Sequence, residues 1–273
     1  SYGRERALLY AQKSPPTDLS VRKKGTRMTG LILQLDDIAD RSAAARRFAE
    51  TGRTQAPDLL TLASATSLLS EIEGQPNWNA VFDRAGQNVP LNAGALSTLT
   101  EAQMRGLLGH LGQSAASGFQ YFFNNVPLYD LYHGPGATSP ALKAIYEFIN
   151  GTDFLAQCRV LTGMKDITFA DAQITRYGSG QFLTRHDDNV AGKNRLAAYV
   201  LNLTPNWRAE WGGTLEFYDE PGNVIEGFTP AFNTLNLFKV PQSHAVTYVP
   251  PFAQGYRYAI TGWLRHGDAP KGN

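Results

Sequence analysis

The spacing of apolar residues changes from a helical to a strand-like period at about residue 166. Before that point apolar side chains recur every three or four residues, as in "APDLLTLASATSLLSEIEG", which predicts amphipathic helices. After it come short segments rich in β-branched and aromatic residues, such as "TLNLFKV" and "RYAITGWLR", which predict strands. Helices followed by strands are typical of an α+β domain in which helices cover a sheet.

Five segments between residues 30 and 163 have helical patterning, and several carry end signals. Thr100 is a predicted N-cap, and Ser139 followed by Pro140 predicts another helix start. Gly52 and Gly163 are placed where helices commonly end. We interpret residues 30–163 as mainly helical.

Eight strand-like segments follow in about one hundred residues, divided by Gly, Pro and Asn. This number of short strands predicts a double-sheet jelly roll or a barrel. Residues 1–29 are polar and basic, and we interpret them as an N-terminal extension without a core of its own.

Composition restricts the classes of function. The formal net charge of +1 gives no sign of a nucleic-acid or membrane partner. The sequence has one cysteine, Cys158, which excludes an internal disulfide framework. A basic, aromatic-interleaved surface for nucleic acid is also lacking. No apolar run approaches the length of a membrane span, and charges replace the apolar core of a secretory signal near residue 1. We expect a cytoplasmic protein.

Two of the five histidines stand out because each closes a strand-like segment. These two are His186 and His244, whereas His110, His133 and His266 lie in a predicted helix, a predicted loop and a polar tail. Asp188 follows His186 by two residues, and residues i and i+2 of a strand project from the same face. We therefore expect this imidazole and this carboxylate to point into the same space.

Two imidazoles and one carboxylate form the facial triad of non-haem Fe(II) oxygenases, which leaves coordination positions open. His186, Asp188 and His244 could supply that set. The spacing alone leaves a second interpretation open, namely an ion pair at a strand end with a neighbouring arginine.

A predicted strand after His244 carries a basic residue among apolar ones. Alternation places Arg257, Thr261 and Trp263 on one face. An arginine is costly to bury without a partner. A dicarboxylate co-substrate would satisfy its guanidinium, as would a salt bridge to one of the protein's own acids.

Five ordered blocks resemble the prolyl-hydroxylase branch of the Fe(II)- and 2-oxoglutarate-dependent dioxygenases. They are "YGSGQFLTRHDDN", "LNLTPNW", "WGGTLEFYD", "PAFNTLNLFKVPQSHAV" and "RYAITGW". With the helical segments before them, the likeness spans roughly residues 35–265 and includes the ribosome-associated prolyl hydroxylases and their bacterial relatives. It implies an α+β fold, a cupin-like double-stranded β-helix (jelly roll) buttressed by N-terminal helices. One dioxygenase domain would span 30–273, with helical support at 30–163 and the jelly-roll core at 164–268.

The resemblance also implies roles for individual residues. His186, Asp188 and His244 would be the iron ligands, and Arg257 would bind the distal carboxylate of 2-oxoglutarate. The other positions that match the co-substrate pocket are Tyr177, Leu215, Thr261, Trp263 and Asn202. Asn202 stands where oxygen-sensing members have a tyrosine that hydrogen-bonds the co-substrate.

The implied function is hydroxylation of a substrate C–H bond, in the first place of a prolyl residue in a protein or peptide. Fe(II) would be the cofactor, 2-oxoglutarate and O2 the co-substrates, and ascorbate a supporting reductant. Two alternatives stay open at this point: the same chemistry on a small molecule such as a free amino acid, and a non-catalytic, cupin-like binding protein.

Overall fold

Antiparallel pairing connects the strands of the computed structural model, which describes residues 30–37 and 41–267. The strands in these ranges are β1 (Arg53–Ala56), β2 (Asn79–Arg84), β3 (Gln87–Asn92), β4 (Tyr121–Val126), β5 (Phe169–Ala170), β6 (Gln173–Tyr177), β7 (Phe182–His186), β8 (Arg195–Asn202), β9 (Leu215–Tyr218), β10 (Val224–Phe228), β11 (Thr234–Lys239), β12 (His244–Val246) and β13 (Arg257–Arg265). The helices are α1 (Ser42–Thr51), α2 (Leu62–Glu73), α3 (Ala93–Leu96), α4 (Glu101–Ser117), α5 (Leu128–His133), α6 (Pro140–Ile149) and α7 (Thr152–Thr162). The predicted extension at 1–29 lies outside the described residues.

The strands form a nearly closed barrel in which most neighbouring strands are not consecutive in the chain. Their hydrogen-bonded order is β1-β11-β8-β13-β6-β4-β7-β12-β9-β10, with β2 and β3 continuing from β4 and with β5 beside β13. All eight strand-like segments of the sequence form strands, and the first of them divides into β5 and β6. The predicted jelly roll is confirmed.

Side-chain alternation along the central strand β8 separates the core from the barrel interior. Tyr199 and Leu201 face outward and are buried against α6 and α7, in the same apolar cluster as Ile149 and Leu161. Val200 points the other way, into a smaller cluster with residues of β9 and β11. The helices therefore cover the outside of the barrel, as predicted, and leave its interior available for a site.

The predicted helix ends are confirmed at several positions. Thr100 caps α4 in a reciprocal capping box with Gln103. Ser139 caps α6, whose first residue is Pro140. Gly163, in a left-handed conformation with φ 70°, ends α7. Among the described residues, no helix combines the length and apolar composition that crossing a lipid bilayer requires.

The helical interpretation of residues 30–163 missed four strands, β1 to β4. The hairpin of β2 and β3 turns through Ala85 and Gly86, with φ of 54° and 79°, so it lacks the Asn-Gly or Asp-Gly signal of such turns. β4 pairs with β2, β6 and β7. β1, β2 and β4 are stabilised by partners distant in sequence, which a local period does not report.

The loop predicted around His133 is also wrong, because this residue ends the short helix α5. Its Nε2 atom lies 3.0 Å from the hydroxyl of Tyr146 on α6, and its ring also packs against Tyr129 and Tyr132. Aromatic contacts across α5 and α6 thus stabilise a helical turn that is too short to show a period in the sequence.

Cys158 provides a test of the packing between the helices and the barrel. Its side chain is fully buried in α7, and burial raises the pKa of its thiol. Because only the thiolate reacts, we expect a thiol reagent at mildly alkaline pH to label the native protein at least about a hundredfold more slowly than the denaturant-unfolded chain. Equal labelling rates, measured by absorbance with and without denaturant, would contradict this packing.

Candidate active site

The register of two short strands brings two histidines together. β7 ends at His186, β12 begins at His244, and the two residues are direct antiparallel partners. Side chains of such partners lie close together on one face of the sheet, and here the ring centroids are 4.1 Å apart. Residues 58 positions apart in the chain thus become neighbours through one strand pair.

The backbone beyond β7 brings Asp188 to the same place. Its carboxylate oxygens lie 3.3 Å from Nε2 of His186 and 3.4 Å from Nε2 of His244. The predicted proximity is confirmed, but strand alternation is the wrong reason for it. The strand ends at His186, and Asp188 adopts a left-handed conformation with φ 63°, which turns its side chain back toward the imidazoles.

Backbone carbonyls orient both imidazoles. Nδ1 of His186 lies 3.0 Å from the carbonyl oxygen of Thr184, and Nδ1 of His244 lies 2.8 Å from that of Gln242. A carbonyl only accepts hydrogen bonds, so in a neutral imidazole the Nδ1 atom carries the proton. The Nε2 lone pairs of both rings are then directed toward the Asp188 carboxylate.

The charges of the cluster fit a cation. Burial opposes ionisation of the Asp188 carboxyl, but His186 and His244 outweigh it and lower its pKa to about 2. Burial and the neighbouring His186 lower the pKa of His244 to about 4. At neutral pH the ionised Asp188 carboxylate therefore faces the unprotonated Nε2 of His244. A bound metal ion would stabilise this arrangement.

The ligand atoms of His186, Asp188 and His244 all lie within 4.8 Å of one another. Two imidazole nitrogens and one carboxylate oxygen are the donor set of the facial triad, which suits non-haem Fe(II). The three residues could therefore hold such an ion and leave positions for further ligands on the open side.

The cluster opens into a cavity of about 880 Å³ inside the barrel. The predicted residues that line it together with the His-Asp-His cluster are Arg257, Tyr177, Leu215, Thr261 and Trp263. Asn202 is fully buried and is absent from this lining. Its side-chain oxygen instead lies 3.4 Å from an Nη atom of Arg257.

Arg257 is a buried cation without an acidic partner in the described part of the chain. It is only 3% exposed, its Nε has no hydrogen-bond partner, and burial lowers its pKa to about 10. The alternative of a salt bridge to one of the protein's own acids is thus not found among these residues. A carboxylate from outside would stabilise this guanidinium.

Two consecutive glycines allow the backbone to approach Arg257. Gly212 and Gly213 have φ of 64° and 63°, a region that favours glycine. A β-carbon on Gly213 would lie 3.2 Å from Cδ of Arg257, and one on Gly212 would lie 2.1 Å from the carbonyl oxygen of Tyr248. The sequence "WGG" therefore shapes the wall beside the guanidinium.

Sequence reasoning missed other residues of the cavity. Arg195 donates a 3.0 Å hydrogen bond to the carbonyl of Asp188 and lies 3.5 Å from the ring centroid of Trp263. It also lies 4.0 Å from the Asp188 carboxylate, so the arginine of the alternative interpretation is present beside the cluster. Asn79 and Asn125 line the cavity from β2 and β4, strands that the helical interpretation did not include.

A jelly roll with two histidines, an aspartate and a buried arginine in one cavity defines the class of non-haem iron oxygenases. Residues 172–265 match the sequence profile of the 2OG-Fe(II) oxygenase superfamily. The chain is 32% identical over 119 residues to mouse (Mus musculus) prolyl 3-hydroxylase OGFOD1. This match covers 41% of this chain and 21% of that protein. It therefore spans about a fifth of the length of this curated relative.

Solved structures show the same fold. A Pseudomonas putida prolyl-4-hydroxylase superimposes with a TM-score of 0.50 and 18% identity, covering 83% of this chain and 98% of that one. A Trichoplax adhaerens prolyl hydroxylase, in complex with a hypoxia inducible factor oxygen degradation domain peptide fragment, gives a TM-score of 0.51 with 20% identity, covering 82% and 87%. Residues 172–265 are thus similar to the 2OG-Fe(II) oxygenase superfamily, and the two prolyl hydroxylase structures share the fold of this chain.

The unpaired charge of Arg257 predicts an effect on stability. We expect Arg257→Met to raise the free energy of unfolding in the absence of 2-oxoglutarate, by about 1 to 4 kcal/mol, because an apolar side chain replaces a desolvated cation. Urea unfolding measures the change. Arg84→Met removes an exposed cation at the end of β2 and should change the free energy by less than about 0.5 kcal/mol. A destabilised Arg257→Met protein would show that the guanidinium has a structural partner.

Proposed function

We propose that this chain is an Fe(II)- and 2-oxoglutarate-dependent oxygenase that hydroxylates a prolyl residue in a protein or peptide. One observation carries the proposal: the His186, Asp188 and His244 cluster and the unpaired Arg257 open into the same cavity. The family match over 172–265 and the likeness to a prolyl 3-hydroxylase support it.

The cluster would hold the ferrous ion through Nε2 of each histidine and a carboxylate oxygen of Asp188. When bound, this ion supplies the redox chemistry by which 2-oxoglutarate, O2 and a substrate C–H group become succinate, CO2 and a hydroxylated product. Ascorbate would support the reaction by keeping the iron reduced.

The protein's own residues would bind and orient the co-substrate. Arg257 is placed to bind the far carboxylate of 2-oxoglutarate through its guanidinium, which Asn202 contacts from behind. Tyr177 pairs with Arg257 across β6 and β13 and is buried. With Leu215, it forms a wall that excludes water from the charged contact.

The substrate class is proposed from the relatives. The curated relative is named a prolyl 3-hydroxylase, and a structural neighbour was solved with a peptide fragment. The non-catalytic, cupin-like alternative is not favoured, because residues 172–265 match the 2OG-Fe(II) oxygenase superfamily and the His-Asp-His cluster lies in the same cavity as Arg257. The small-molecule alternative has the same chemistry but a different substrate, and an experiment with both kinds of substrate decides between them.

The deciding experiment supplies purified protein with Fe(II), 2-oxoglutarate, ascorbate and air, and compares a library of proline-containing peptides with free amino acids. We expect peptides to stimulate succinate release and to gain the mass of one oxygen atom on proline, with the oxidised carbon identified by fragmentation. Stimulation by free amino acids alone would overturn the proposed substrate, and no 2-oxoglutarate turnover with any of them would overturn the proposed reaction.

Loss of one predicted iron ligand is expected to abolish the reaction without unfolding the protein. His186→Ala should lower succinate release at least about a hundredfold and also lower the metal retained after dialysis, because removing a ligand costs more than removing a group that orients one. His110→Ala is the matched control, since His110 is exposed on α4. Retained turnover in a correctly folded His186→Ala protein would remove this residue from the metal site.

Arg257→Met is expected to act on the co-substrate and not on the metal. Loss of a charge-assisted pair, worth about 1.5 to 3 kcal/mol, should raise the concentration of 2-oxoglutarate required for half-maximal turnover by roughly 10- to 100-fold. The Fe(II) requirement should stay nearly constant. Equal shifts in both requirements would count against binding of the distal carboxylate by Arg257.

A further inference from the structure

Uncharged polar side chains cross the inner wall of the cavity on neighbouring strands. Asn79 on β2 is the direct partner of Asn125 on β4, which is the direct partner of Thr175 on β6. One rung away, Gln173 on β6 is opposite Thr261 on β13. All five line the cavity, and we call them the amide strip.

The next rung of the same wall has a different character. Val81 and Phe123 are partners on β2 and β4, and the Phe123 ring stacks on Tyr177 at 5.1 Å. This apolar rung leads to Arg257, the partner of Tyr177. On β2, β4 and β6, the amide and threonine side chains that line the cavity therefore lie in one band, beside the rung of Val81, Phe123 and Tyr177.

The hydrogen-bonding capacity of the amide strip exceeds what the described residues use. The Asn125 amide nitrogen donates to Oε1 of Gln173 at 2.8 Å, whereas Oδ1 of Asn125 has no partner although the residue is only 8% exposed. No hydrogen bond of the described chain engages the amide nitrogen of Gln173 or the side chain of Asn79. Oδ1 of Asn125 is therefore a buried acceptor without a partner, which is costly, so a ligand that donates a hydrogen bond to it would stabilise this band.

The chemistry of the strip selects the ligand. Amide side chains offer both donors and acceptors but no charge, so they match a neutral group that also has both. Asp171, two residues before Gln173, and Arg265, four residues after Thr261, also line the cavity. They are already paired with each other at 3.1 Å. A free amino acid presents two charges, whereas the interior of a polypeptide presents successive neutral N–H and C=O groups.

We propose that the amide strip binds the substrate's peptide backbone beside the prolyl residue to be hydroxylated. This rests on the proposed function and adds a specificity-determining surface to it. Proline has no N–H, so its own contribution to the strip is a carbonyl, and the donors come from the flanking residues. The strip thereby favours a proline within a chain over free proline.

The test combines a change in the protein with a change in the peptide. The peptide with the highest succinate release in the library is resynthesised with N-methyl groups at the residues that flank proline, which removes their donors. We expect the wild-type KM for this peptide to rise about two- to tenfold per lost hydrogen bond. Gln173→Met should raise the KM for the unmodified peptide by a similar factor, with little change in kcat or in the 2-oxoglutarate requirement.

The two changes should not add together. In Gln173→Met, N-methylation is expected to have a smaller effect on KM than in the wild type, because the interaction is already lost. Gln87→Met is the matched control, since Gln87 is exposed on β3 and does not line the cavity. Asn79→Leu is a second variant, at a half-buried position of the strip.

The outcomes separate this inference from the proposed function. If the wild type hydroxylates peptides but N-methylation, Gln173→Met and Asn79→Leu all leave KM unchanged, the backbone site is wrong and the oxygenase proposal stands. Fully additive effects would likewise overturn the contact. If no proline peptide is turned over by the wild type, the proposed function itself fails before the strip is tested.

Discussion

The pairing of β7 with β12 is the constraint on which the site depends. It places His186 opposite His244, and backbone carbonyls direct the remaining nitrogen of each ring toward Asp188. Two lone pairs and a carboxylate within 4.8 Å repel one another unless a cation lies between them. The fold therefore holds together three groups that a bound metal ion would stabilise, and the surrounding sheet keeps them in place.

The barrel divides stability and function between its two faces. The largest apolar cluster lies between the helices and the outer face of β8, β11 and β13, where residues such as Tyr199 and Leu237 are fully buried. The inner face can then carry groups that weaken a core, including the unpaired Arg257 and the amide strip. Such groups are expected at functional sites, where local rules for folding are broken. The exterior packing offsets their cost.

Local signals predicted much of this structure correctly. Alternation identified each strand from β5 to β13, and cap residues such as Thr100 and Ser139 marked helix starts, because these features depend on neighbours in the chain. The position of Asp188 was predicted for the wrong reason, since its left-handed backbone is held by contacts such as the Arg195 hydrogen bond to its carbonyl. The strand β4 was missed, although "YFFNNV" has the composition of one, because it lies among helical segments.

Local patterns along the chain establish the change from helices to strands, two histidines that close strand segments with an aspartate two residues after the first, and an arginine that shares a strand face with Thr261 and Trp263. Only the tertiary structure decided that the three ligand atoms converge, that Arg257 meets no acid in the described chain, and that amides from β2, β4 and β6 line one wall. The physical reason is that hydrophobic period and caps act over a few residues. Strand pairing acts between residues far apart, and its register sets which side chains meet.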